Sequence, residues 1–233
     1  MIALITSTLI PEAHSFFSVE ERYNQTIDTI NNLRSVGFEH IYLIDNSVSR
    51  IDQNRLKSSL ANKINIISSC QYNFDNKGLN EALLILNNLI HLPDHQPIFK
   101  ISGRYSPTNQ FNAALLLSDL AEKEILGIGS IGKSADSYFN TRAYLVNNKK
   151  HLEIILVLVI QEMIAYSRGI NGFRGWFRAL KTMFTPQIGS PFQISIENAF
   201  ARVLNIKGNY KLIEKINIEG FVAGSKTLTF ISE

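Results

Sequence analysis

The chain has 233 residues, of which 45% are hydrophobic and 18% charged, enough apolar material for a sizeable core in one large domain. A formal net charge of +3 gives no electrostatic ground for nucleic-acid binding. The single cysteine, Cys70, excludes an intrachain disulfide framework and a Cys-x-x-Cys metal site, so a reducing compartment is expected.

Ile2–Thr6 reads as a short apolar first strand; with no basic region before it and no small-residue cleavage site after it, a strand is expected there and not a signal peptide. Glu20–Val36 places Tyr23, Ile27, Ile30 and Leu33 at helical spacing, and Gly37 marks the end. A second buried strand, Ile41–Ile44, runs into Asp45-Asn46-Ser47. A polar stretch containing Arg55-Leu56-Lys57 leads to a third strand, Ile64–Ile67. The spacing predicts a helix over Gly78–Ile90 with Leu79, Ala82, Leu83 and Leu86 inward, then a fourth strand, Ile98–Ser102. Helix Gln110–Glu122 and a glycine-rich strand, Ile125–Ile131, follow. Repeated strand–helix–strand units predict an α/β fold with a mainly parallel, Rossmann-like sheet flanked by helices.

The second half changes character. Arg142–Val146 reads as a strand, a long helical region runs from about 152 to 184, and Ser190-Pro191 precedes a helix over Ile194–Leu204. Lys211–Ile218 and Thr227–Ile231 read as extended. No repeat or low-complexity linker divides the chain, so one domain over 1–233 is expected, with halves meeting near residue 130. The longest apolar run, Ile154–Ile160, is far too short to span a bilayer. A cytoplasmic protein is expected, with any membrane contact peripheral.

The most informative stretch is Pro97–Pro107. On an extended strand Lys100, Ser102 and Arg104 share one face, while Phe99 and Ile101 share the other. Two cations and a hydroxyl at the carboxyl end of a core strand lie where open α/β sheets bind ligands. An anion, and specifically a nucleotide diphosphate, is the expected partner of this strand and of the Gly103-Arg104-Tyr105 turn. Asp45-Asn46 ends its own strand at the same edge and suits either a base imide or ribose hydroxyl, or an ordinary turn. Asn76-Lys77-Gly78 opens a helix. Gly78 suits close backbone approach to a ligand, with first-turn amides facing an anion; the alternative is an N-cap, a solvated lysine and a loop glycine. His91 and His95 flank Pro93 and share no helix face, which argues against a metal.

The order of these pieces resembles the nucleotide-binding half of GT-A glycosyltransferases over roughly residues 1–130, leaving 131–233 as the acceptor half. Arg22-Tyr23-Asn24-Gln25-Thr26 is similar to the Arg-x-x-Gln-Thr start of small bacterial polysaccharide transferases, where an Arg22-like side chain lies near the sugar nucleotide; a surface helix position accounts for it equally well. The resemblance implies a nucleotide-sugar donor held by Thr6, Arg22, Asp45, Asn46, Asn76, Lys77, Gly78, Lys100, Ser102, Gly103 and Tyr105. It also implies a glycan or lipid-linked acceptor in surface polysaccharide assembly. One departure matters. These enzymes usually carry Asp-x-Asp after the fourth strand to hold a divalent ion, and Ser102-Gly103-Arg104-Tyr105 offers no carboxylate there. No metal or other cofactor is therefore expected, and Arg104, with Lys100, is expected to take the ion's place against the leaving diphosphate. The alternative for Arg104 is an ion pair that ties down the loop.

Glu197, in the first turn of the Ile194–Leu204 helix, is the expected base for the acceptor hydroxyl, ahead of Asp136 and Glu162; a dipole-favoured glutamate is the plainer account. With no second carboxylate in evidence, direct displacement with inversion is expected. Residues 170–184 carry an apolar stripe, Phe173, Trp176, Phe177 and Leu180 among them, beside Arg174, Arg178 and Lys181. That stripe suits either packing on the core or peripheral contact with the inner face of a membrane. A non-catalytic nucleotide- or glycan-binding module with a degenerate GT-A fold is the rival reading, and a nucleotidyltransferase would need acidic metal ligands.

Overall fold

The structure, a computed structural model, describes residues 1–11, 16–58, 64–69, 74, 76–132, 136–168, 194–222 and 229–233. Four apolar runs make the parallel part of the main sheet: β1 (Ile2–Ser7), β2 (Ile41–Asp45), β3 (Ile64–Ser68) and β4 (Ile98–Ser102). The remaining three strands are β6 (Ile125–Ser130), β7 (Tyr138–Val146) and β8 (Tyr210–Leu212). The spatial order is β3-β2-β1-β4-β7-β6-β8, with β7 antiparallel to both of its neighbours and every other pairing parallel. The order reverses beside β1, the kind of switch point at which open α/β sheets bind ligands outside the carboxyl ends of their strands.

Strand alternation sorts side chains onto two cores. Ala3, Ile5, Leu43, Phe99, Ile101, Leu126 and Leu145 face one way, against α1 (Val19–Ser35) and α4 (Ala113–Leu120). Leu4, Ile44, Ile98, Ile125, Tyr144 and Val146 face the other, against α3 (Lys77–Asn88), α5 (Lys149–Arg168) and α6 (Ile196–Lys207). A short helix, α2 (Gln53–Ser58), forms within the polar stretch after β2. Helix starts follow local chemistry. Ser18 and Glu21 close a capping box on α1, Asn76 caps α3 and Ser195 caps α6, while Gly208, at φ 70°, ends α6 in the left-handed region.

The structure adds one strand and corrects two expectations. The Gly103-Arg104-Tyr105 turn closes straight into β5 (Tyr105–Pro107), which pairs with β9 (Ile218–Val222) and through it with β10 (Thr229–Ser232) in a second, three-stranded antiparallel sheet. The tail expected as one extended run over 211–218 is divided between β8 and β9, one on each sheet. β7 begins at Tyr138, four residues before the expected start, because Phe139 packs its ring where a side chain at Gly127 would stand. The expected helix over 170–184 and Cys70 lie outside the described residues. Among the described residues, no helix is long and apolar enough to cross a membrane.

Gly220 sets the spacing of the second sheet: a Cβ there would stand 2.3 Å from the Arg104 carbonyl oxygen. Gly220→Ala is expected to force β9 away from β5 and cost about 2 kcal/mol in urea unfolding. Gly132→Ala, with nothing within 4 Å of its new carbon, is the control and should change stability by less than about 0.5 kcal/mol.

Candidate active site

The turn after β4 is held by α1. Thr26 Oγ1 donates to the Gly103 carbonyl at 3.1 Å and Thr29 Oγ1 to the Tyr105 carbonyl at 3.0 Å, while the Gly103 amide donates to the Thr6 carbonyl at 2.9 Å. A Cβ on Gly103 would lie 3.0 Å from Thr26 Oγ1 and 3.3 Å from the Ile5 and Ser7 side chains, so a larger residue could not tuck under the helix this closely. One helical turn before Thr26, Arg22 donates to the Thr8 carbonyl at 2.6 Å.

This packing brings Arg22 and Arg104 into electrostatic range of each other. The Arg22 guanidinium is pushed below its ordinary basicity, first by burial and then by the charge of Arg104, with Asp45 opposing. Arg104 Nη1 is buried without a hydrogen-bond partner, and among the described residues no ion pair joins Arg104 to an acid. Arg104 is therefore not a loop-tying ion pair. Two acceptors on the adjoining segments are also buried and unpartnered: Gln25 Oε1, in the turn of α1 after Arg22, and Asn46 Oδ1, on a residue only 7% exposed. Buried polar groups left unpaired are costly. The Arg104 nitrogen is a buried cationic donor that an anion would satisfy.

Lys100 goes elsewhere. It is fully buried on the opposite face of the sheet, with its Nζ 2.5 Å from Glu81 Oε1, 2.6 Å from the Thr141 carbonyl, 3.2 Å from Ser102 Oγ and 5.6 Å from the centre of the Tyr144 ring. Its donors are spent inside the protein, which corrects the expectation that Lys100 reaches a diphosphate. Glu81 Oε1 also accepts from Thr6 Oγ1 at 2.8 Å, and Thr141 Oγ1 donates to Glu197 Oε1 at 3.2 Å. One polar chain thus runs Thr6–Glu81–Lys100–Thr141–Glu197 from β1 to the first turn of α6. Burial, followed by the charge of Glu81, raises the Tyr144 phenol well above its ordinary pKa.

Several other expected donor ligands have structural duties instead. Asp45 is 1% exposed; its carboxylate accepts from Ser7 Oγ at 2.5 Å, the Leu9 amide at 3.0 Å and the Ser47 amide at 3.0 Å, fixing the loop after β1 to the loop after β2. Asn76 caps α3 through Leu79 N and donates to the Ile194 carbonyl at 3.1 Å. Gly78 lets α3 approach α6, since a Cβ there would lie 2.6 Å from Ile196 Cβ; the close approach is to a helix and not to a ligand. Lys77 is exposed at the start of α3. Tyr105 is buried, with Arg142 Cζ 5.9 Å from its ring centre, and burial foremost raises its pKa. Glu162 is paired with Arg202 at 3.1 Å, which removes it as a candidate base.

Glu81 and Thr141 escaped the sequence reading. The signal for Glu81 was a charged residue on α3 beside the inward Ala82, matched by a lysine in a buried strand, but nothing local said the two would meet. Among the described residues no group of three or more His, Cys, Asp or Glu side chains is placed to hold a metal.

No protein-family model matches the sequence, and no curated protein matches it. Solved structures do match. An active-site mutant of LgtC is 10% identical, with 93% of this chain and 86% of that chain covered and a TM-score of 0.51. The galactosyltransferase LgtC bound to donor and acceptor sugar analogues is 11% identical, covering 91% of this chain and 73% of that one at a TM-score of 0.50. HddC from Yersinia pseudotuberculosis is 13% identical over 66% of this chain and 80% of that one, with a TM-score of 0.46. The chain has a GT-A-like glycosyltransferase fold.

Lys100→Met leaves a partly buried carboxylate without its cation and is expected to cost about 3 kcal/mol in urea unfolding. Pairing it with Glu81→Leu should restore much of that loss; a single variant as stable as the parent would show that the ammonium is not what holds β4, β7 and α3 together.

Proposed function

We propose that this chain is a glycosyltransferase that moves a sugar from a nucleotide-sugar donor to a glycan or lipid-linked acceptor in surface polysaccharide assembly, by direct displacement and without a divalent metal. The observation that carries the reading is the buried, unpartnered Arg104 Nη1, in the electrostatic field of Arg22, in the turn after β4 of a GT-A-like sheet. In this mechanism the acceptor hydroxyl attacks the anomeric carbon, the bond from that carbon to the diphosphate oxygen breaks, and the leaving group departs with an extra negative charge. Arg22 and Arg104 neutralise it, in fixed positions that need no reorganisation as charge develops.

The residues after β4 do not suit the divalent ion that this fold commonly uses. Ser102 to Tyr105 present no carboxylate, and Ser102 Oγ is already engaged by Lys100. No step is routed through a metal. Glu197, half-buried with Oε1 held by Thr141 Oγ1, takes the proton of the attacking hydroxyl. Asn46 Oδ1 and Gln25 Oε1 are acceptors for ligand hydroxyl or N–H groups beside the diphosphate.

A thermal-shift and calorimetric screen with UDP, GDP, CMP and their sugars tests the reading, because a ligand of the native state alone raises the melting temperature. One of these is expected to bind equally well in EDTA and in Mg²⁺, and Arg104→Ala should lower turnover by about 10²-fold. Turnover that disappears with EDTA and returns with Mn²⁺ would overturn the metal-free mechanism. Glu197→Gln should cut turnover by about 10²- to 10⁴-fold while donor affinity stays within about twofold of the parent; normal kinetics would remove it from the base role. Donor binding with no transfer to any acceptor or to water would favour a binding module.

A further inference from the structure

Glu81 is a carboxylate at the carboxyl edge of the sheet that is both locked in place and half spent. Its Oε1 accepts twice, from Thr6 Oγ1 at 2.8 Å and from Lys100 Nζ at 2.5 Å. Its Oε2 takes part in neither bond. The side chain is 25% exposed, although the lysine that fixes it is 1% exposed. The burial of a whole ammonium behind a partly open carboxylate needs a reason, since an apolar strand residue at position 100 would pack without any desolvation cost.

The location supplies one. Thr6, whose side chain binds Glu81, accepts through its carbonyl the amide of Gly103, at 2.9 Å. Glu81 is therefore one residue's breadth from the turn that carries Arg104, on the opposite side of β1 and β4 from the guanidinium pair. A fixed carboxylate repels a phosphate and accepts strongly from neutral hydroxyls, with charge-assisted bonds about twice the strength of neutral ones. A ligand lying across this edge with its anionic part on Arg22 and Arg104 presents its hydroxyl-bearing part to Glu81.

On the reading of the site given above, we propose that Glu81 is a specificity-determining residue that accepts hydrogen bonds from hydroxyl groups of the transferred sugar, with Lys100 and Thr6 as the positioning residues that fix its Oε1. The substrate class this implies is a nucleotide sugar with unmodified ring hydroxyls, discriminated against its deoxy analogues.

The test is calorimetric binding to the full chain, with UDP and GDP as sugar-free probes and UDP-glucose, UDP-galactose, GDP-mannose and their monodeoxy analogues as sugar-bearing ones. Glu81→Gln is expected to weaken the best nucleotide sugar by about tenfold, loss of one charge-assisted hydrogen bond, while its sugar-free nucleotide stays within about twofold of the parent. One deoxy analogue should bind the parent about tenfold more weakly, and Glu81→Gln should add no further loss for that analogue. Glu81→Asp keeps the charge that Lys100 needs but withdraws the carboxylate by one carbon, so it should fold and show the same selective loss; it settles the matter if Glu81→Gln does not fold. Equal weakening of sugar-free and sugar-bearing probes, or none for either, overturns the proposal. If the parent binds a nucleotide sugar no better than Arg104→Ala does, the diphosphate reading fails instead, whatever Glu81 does; if the parent binds no probe, both fail.

Discussion

The interaction on which the rest of the molecule depends is the ammonium of Lys100 buried between Glu81, the Thr141 carbonyl and Ser102. An uncompensated charge in that position would be among the most destabilising features a core could contain. Satisfied as it is, it joins β4 to α3 and to the entry of β7, and through Thr141 Oγ1 it reaches the first turn of α6. The polar partners are specific in number and direction, so this packing of α3 and α6 on the sheet is favoured over others that would bury the same apolar area. The aromatic neighbours Phe139, Tyr144 and Phe200, with ring centres 5.6 to 6.0 Å apart, close that side of the sheet from water.

The sheet edge therefore has two chemistries on its two sides. On the α1 side stand Arg22 and Arg104, in each other's field and with a nitrogen unsatisfied. On the α3 and α6 side stand Glu81 and Glu197, joined through Lys100 and Thr141. A sugar nucleotide has the same division, an anionic diphosphate and a neutral polyhydroxyl ring. The proposal that the chain transfers a sugar rests on that correspondence in a GT-A-like fold. Glycines make the arrangement sterically possible: Gly103 beneath α1, Gly78 against Ile196 and Gly220 against the Arg104 backbone.

Likeness of fold at 10% and 11% identity is what binary patterning permits. The sheet needs apolar residues at alternate positions and helices with one apolar stripe, and many sequences meet that demand. The loop after β4 is under no such demand. There Ser102-Gly103-Arg104-Tyr105 stands without a carboxylate, and chemistry can change while the framework does not.

The framework was legible because its causes are local. Strand alternation put Lys100 on the face opposite Phe99 and Ile101, the cap at Asn76 opened its helix, and repeated strand–helix units produced the parallel half of the sheet. Arg104 was picked out for the same reason, as a cation that packing alone does not call for. Long-range proximity carried the rest. Glu81 meets Lys100 across 19 positions of sequence, Thr141 meets Glu197 across 56, and Gly78 meets Ile196 across 118. A residue's type sets what it can bind, whereas its partner is set by which distant segment the fold brings beside it. The sheet, its two faces and the charges that packing does not call for are thus written in local patterning, whereas the long-range contacts that consume Lys100 and Asp45 within the protein and leave Arg104 Nη1 without a partner exist only in the folded chain.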